Sequence, residues 1–104
     1  MNFQKLLKEA KKAQQKAAEV QEKLEEMTVT GNAGGGLVEV TANGHARIVA
    51  ISLKPEAIDP EDVEALEDLI LVAIQDAQSK AAELAEKEMG GSLGDVGGML
   101  GGLF

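Results

Sequence analysis

Cysteine, tryptophan and tyrosine are absent from this 104-residue chain, and phenylalanine and proline occur twice each. Without cysteine there is no disulfide, no thiolate metal site and no thiol nucleophile. With Phe3 and Phe104 both near the chain ends, the interior must be assembled from Leu, Ile, Val and Ala. The same shortage removes base stacking on aromatic platforms as the main way of holding single-stranded nucleic acid. Long apolar runs are missing as well. Near the start the only apolar pair after Lys5 is Leu6-Leu7, short of a secretory h-region, and no stretch approaches the roughly 20 residues of a membrane span. The expectation is a soluble cytoplasmic protein whose small aliphatic core gains from a partner chain.

What is present is globular in composition, 44% hydrophobic and 27% charged, and short enough for one domain. The formal charge of −8 is unevenly spread: residues 1–18 hold Lys5, Lys8, Lys11, Lys12 and Lys16 against Glu9, a local +4 that leaves −12 for the rest. On a helix at about 100° per residue, Lys5, Lys8, Lys12, Lys16 and Lys23 fall within about 80° of one another. Leu6, Ala10, Ala13, Ala17, Val20 and Leu24 form a separate apolar stripe. A basic segment on an acidic chain points to a polyanion. The stripe also reads as an ordinary solvated face, because Glu19 and Glu26 enter it and Glu19 with Lys23 is a favourably ordered i,i+4 pair.

Residues 2–27 contain neither Gly nor Pro and keep helical spacing, which predicts one long helix. Such a helix spans roughly 37 Å against about 26 Å for an eight-residue strand, so part of it must overhang any sheet. Thr28-Val29-Thr30 is β-branched, and Gly31 to Gly36 breaks the pattern as a strand-to-strand connection. Leu37 to Ala42 and Arg47 to Leu53 are predicted strands joined at Asn43-Gly44, the preferred pair of a two-residue type I′ turn. Val49, Ile51 and Leu53 take one face of the later strand. Ile48 and Ala50, also apolar, take the other, which implies cover on both sides, by helix and by a partner. Lys54-Pro55 ends the strand.

Asp59 is the expected N-cap of a second helix, with Pro60 at its first position. The series Val63, Leu66, Ile70, Ala73, Ile74, Ala77, Ala81 and Leu84 carries it to Met89, where Gly90-Gly91 is expected to supply the C-cap. Seven of the last fifteen residues are glycine, so residues 1–89 are expected to form the domain and residues 90–104 a flexible tail.

Little chemistry beyond charge is visible. His45, the lone histidine, sits beside the predicted turn and is expected to be solvated; with no Cys and no second His it cannot assemble a usual zinc site. The glycines of 31–36 lack a Gly-Lys-Ser/Thr ending and do not open a helix, so they are no phosphate loop. Glu61, Asp62, Glu64, Glu67 and Asp68 lie in the first turns of a helix rather than at alternate positions of a calcium loop. A three-stranded sheet with two helices offers little depth for a pocket, so no enzyme, no cofactor and no small-molecule substrate is expected.

The local words occur in an informative order: a Lys/Gln/Ala-rich helix, Val29-Thr30-Gly31, Gly34-Gly35-Gly36-Leu37-Val38-Glu39-Val40, Asn43-Gly44, Leu66-Glu67-Asp68-Leu69-Ile70 and Asp76-Ala77. This series resembles the YbaB/EbfC family of bacterial nucleoid-associated proteins over nearly the whole chain. The resemblance implies an α+β protomer of order α-β-β-β-α with a three-stranded antiparallel sheet. It also implies a tweezer-like homodimer with helices as arms, and binding of double-stranded DNA at the nucleoid, without catalysis or cofactor.

Lys5, Lys8, Lys12 and Lys16 are where DNA contacts are expected. Lysines on phosphates give affinity and salt dependence but no direct base readout. Used from both copies of a dimer, these residues would make about eight such contacts and a log–log salt slope of at most about −7. The resulting reading is a homodimer that binds duplex DNA with weak sequence preference and influences nucleoid organisation and gene expression. Its rival is an acidic homodimeric adaptor that binds proteins through its helices and does not touch nucleic acid.

Overall fold

A helix, α1 (Phe3–Glu26), starts where the Asn2 side chain accepts the Gln4 backbone N–H at 3.1 Å, satisfying one of the donors left free in a first turn. It is followed by β1 (Thr28–Ala33), β2 (Val38–Asn43), β3 (Ile48–Leu53), a single 3-10 turn at Pro55–Ala57 and α2 (Val63–Gly101). The strands form one antiparallel sheet in the order β1-β2-β3, giving the expected α-β-β-β-α arrangement. This computed structural model describes the backbone of residues 2–101 and the side chains of residues 2–90.

The core is thin and made of small residues. Ala33, Val38, Val40 and Ala42 of the sheet pack against Ala73, Ala77 and Ala81 of α2, with Leu66, Leu69, Ile70 and Ile74 partly buried around them. The largest fully buried side chains are Leu24, Val38 and Val40. Alanines at steps of four let α2 come close to the strands, and the closest approach is over Gly31. A Cβ there would lie 2.2 Å from the Ala77 nitrogen and 2.5 Å from the Ala73 oxygen. This contact corrects the expectation that Gly31 breaks the strand. Gly31 lies inside β1 because a helix backbone occupies its side-chain space. The connection proper is Gly34 to Leu37, with its three glycines at positive φ (65°, 68° and 95°).

The β2–β3 connection also differs from the expected two-residue turn. Asn43 N–H donates to the Arg47 carbonyl at 2.9 Å, which closes a three-residue loop, Gly44-His45-Ala46, and Ala46 takes the left-handed conformation at φ 63°. Beyond it the register slips: Thr41 faces Ala50 but Ala42 faces Ile48, so Val49 is a bulge. The bulge carries Ile48 to the face shared by Ile51 and Leu53, opposite Ala42, Val40 and Val38. The expected apolar second face therefore does not exist. The outer face is formed by Thr28, Thr30, Asn32, Glu39, Thr41, Ala50 and Ser52, nearly all polar.

At the start of α2, Asp59 staples a turn instead of capping the helix: it accepts Glu61 N–H at 3.0 Å on its side chain and Asp62 N–H at 3.0 Å on its carbonyl. The cap is Asp62, whose carboxylate accepts Ala65 N–H at 3.3 Å. The C-cap expected at Gly90-Gly91 is absent as well. Gly90 is outside the left-handed region that such a cap needs, and the helical backbone continues to Gly101. Of the segment read as a flexible tail, residues 102–104 lie outside the described residues.

Candidate nucleic-acid interface

Helix α1 is attached to the body by its last turns alone. Leu24 is its one buried residue and Val20 is half-buried, whereas residues 2–19 are all exposed. The root is held by the loop after β2: Gly44 N–H is shared between the carbonyls of Leu24 at 2.8 Å and Met27 at 3.1 Å, and His45 Nε2 donates to the Gln21 carbonyl at 3.0 Å. His45 is thus exposed but engaged, not merely solvated. A third tie runs to α2, where Lys23 pairs with Glu88 at 3.0 Å.

The four lysines singled out from sequence, Lys5, Lys8, Lys12 and Lys16, stand on the exposed part of α1, spread over about 16 Å of helix axis. Two ion pairs occur among the described residues, Lys23–Glu88 and Lys80–Asp76, and neither uses one of the four. Lys23, the fifth member of the stripe, is committed to the body. The dense acids in the first turns of α2 are far from this surface: Asp68 precedes Glu88, which stands where α1 and α2 meet, by 20 residues of α2. That is about 30 Å, several times the Debye length of about 8 Å at physiological salt.

A further pair escaped sequence reasoning. Asp76 accepts the Asn32 backbone N–H at 3.0 Å, Lys80 donates to the Thr30 carbonyl at 3.1 Å, and the two side chains pair with each other at 3.1 Å. Together they occupy the outer edge of β1. The Asn32 N–H, and next the Lys80 ammonium, hold the Asp76 carboxyl below its ordinary value of 3.8. The i,i+4 spacing of Asp76 and Lys80 was visible in the sequence, but not that a strand edge runs beside them. At the opposite edge β3 has no such guard among the described residues. Its Val49, Ile51 and Leu53 are 53%, 50% and 37% exposed, and Val63 and Leu71 of α2 are each 54% exposed.

Among the described residues no group of three or more His, Asp or Glu side chains is placed to hold a metal ion. No described helix is long and apolar enough to cross a membrane.

Comparison with known proteins agrees with this architecture. The chain is 70% identical over its full length, and over the full length of the relative, to the nucleoid-associated protein TTHA1599 of Thermus thermophilus. It is 47% identical to a nucleoid-associated protein of Pelotomaculum thermopropionicum, covering 99% of this chain and 96% of that one. Its fold matches the crystal structure of the uncharacterized protein HP0035 from Helicobacter pylori with a TM-score of 0.77 at 24% identity, over 89% of this chain and 98% of the other. The profile of the YbaB/EbfC DNA-binding family matches residues 1–96, and the chain belongs to that family.

Proposed function

We propose that this chain is a nucleoid-associated protein that grips duplex DNA through Lys5, Lys8, Lys12 and Lys16 of α1. Working as a homodimer, it binds with weak sequence preference and thereby influences nucleoid organisation and gene expression. The observation that carries the reading is that α1 contributes a single buried residue to the fold and presents Lys5, Lys8, Lys12 and Lys16 to solvent with no ion-pair partner among the described residues. A helix this poorly buried is not there for the core. The names of the relatives, nucleoid-associated proteins, support the same partner. Contacts to phosphate account for weak sequence preference, since lysines on the backbone are indifferent to the bases. Residues 1–89 act as the binding and dimerising unit, residues 90–104 as a tail outside it, and no catalytic step is involved.

The dimer is argued from the sheet. Helix α2 covers β1 and β2, leaving Ile51 and Leu53 of β3 beside an unguarded strand edge, with Val63 and Leu71 exposed on α2. Apolar residues at a free edge are an association surface unless covered, and a second copy covers them. Replacing Lys5, Lys8, Lys12 and Lys16 together with Gln is expected to abolish the mobility shift of a random duplex while leaving the mass in solution unchanged. A shift of undiminished strength would remove these lysines from the mechanism.

A further inference from the structure

An arm that buries only its last turn needs something to set its direction. We propose that the β2–β3 loop is a socket that aims α1, with His45 as a positioning residue for DNA binding. The proposal rests on the reading of α1 as the DNA-contacting arm.

The socket is rigid on its own side. Asn43 is 4% exposed, and its side-chain oxygen accepts the backbone N–H groups of His45 at 2.9 Å and Arg47 at 3.1 Å. These bonds hold the loop in the shape that Ala46, in the left-handed region, closes. The socket also fits the helix closely. A Cβ on Gly44 would meet the Leu24 oxygen at 2.6 Å and the Leu24 side chain at 2.8 Å, so helix and loop touch backbone to backbone. The Leu24 carbonyl belongs to the last turn, where acceptors lack partners inside the helix, and Gly44 N–H satisfies it. His45 reaches one turn further back to Gln21. A carbonyl can only accept, so Nε2 carries the hydrogen.

The loop holds α1 at two points one turn apart, and the outer one braces the helix against a tilt that the exposed Lys23–Glu88 pair resists only weakly. The lever is long: Lys5 lies about 24 Å along the axis from Gln21, so a tilt of about 20° at the root moves it by about 8 Å. That exceeds two base-pair rises of about 3.4 Å along the DNA axis. Losing the outer attachment therefore scatters the lysines across the phosphate lattice without removing any of them.

The test uses the full chain carrying Gln14→Cys and Glu39→Cys spin labels, diluted into unlabelled protein so that only distances within one chain are read. His45→Ala is expected to broaden that distance distribution and to weaken duplex binding between about twofold and tenfold, the range one ordinary hydrogen bond contributes. The salt slope should stay as in the wild type, because the lysines are all present. His45→Gln, which keeps a side-chain N–H donor, should restore both. An unchanged distribution in His45→Ala overturns the proposal, and so does a broadened one with undiminished affinity. If the wild-type chain itself ignores duplex DNA, the reading of α1 falls, while the distance distribution still decides whether His45 aims the arm.

Discussion

Gly31 is the residue on which the packing of the two layers depends. Any side chain there must displace the backbone of α2 at Ala73 and Ala77, which a helix interior cannot yield cheaply. Gly31→Ala is expected to lower stability by about 3 kcal/mol or more, in the upper range for overpacking, read as a lower urea midpoint with an unchanged slope. Asp76 acts at the edge of the same strand. Its carboxyl titrates below the ordinary 3.8 because the folded chain supplies Asn32 N–H and Lys80 to its charged form. A depressed folded-state pKa stabilises the fold above the unfolded value, and that contribution disappears as the pH falls through the lowered one. Urea midpoints measured downward from pH 5 should therefore fall more in the wild type than in Asp76→Asn. Equal pH dependence in the two proteins would show that the carboxyl gains nothing from Asn32 and Lys80.

At the scale of elements, the strands contrast in how their edges are treated. On β1 the outward Asn32 N–H and Thr30 C=O are occupied by Asp76 and Lys80, which discourages another strand from adding there. On β3 the outward edge carries exposed Val49, Ile51 and Leu53. Ile51→Lys, with a charge placed in the association surface, should turn a particle of twice the 10.9 kDa chain mass into a monomer by light scattering, without loss of helical circular dichroism. A wild-type chain that is already a stable monomer at micromolar concentration would contradict the dimer.

Elements whose pattern is local were legible in the sequence. The unbroken α1, with its exposed lysines and a part that overhangs the sheet, and the alternation in β2 follow from spacing alone. Features set by a neighbour were not. Gly31 looked like a breaker because nothing in the local sequence announces the helix above it. A period-two count puts Ile48 on the outer face, and the bulge at Val49 shifts that count by one residue. Asp59 looked like a cap because Asp59-Pro60 and Asp62 offer two starts three residues apart, and the turn decides between them. His45 was legible as a loop residue but not as a contact of α1, since its partner lies 24 positions away.

For the whole molecule the question is how a chain of net charge −8 holds a polyanion. The distribution of charge answers it. Residues 2–18, at +4, project as an arm, the dense acids in the first turns of α2 lie about 30 Å from its root, beyond effective reach at physiological ionic strength, and Glu88 beside the root is paired with Lys23. Lowering the salt lengthens that reach as well as strengthening the lysine contacts, so the acidic body tempers the gain in affinity and keeps the slope below its limit.

The most direct test of this account is the equilibrium affinity for a random duplex measured as a function of salt, for the wild type and for the chain with Lys5, Lys8, Lys12 and Lys16 changed to Gln. The account predicts a steep loss of wild-type affinity with rising salt, with a log–log slope negative and no steeper than about −7, and a variant whose binding and slope both collapse toward zero. A wild type that ignores duplex DNA even in dilute buffer, or a variant that keeps the wild-type slope, would contradict it.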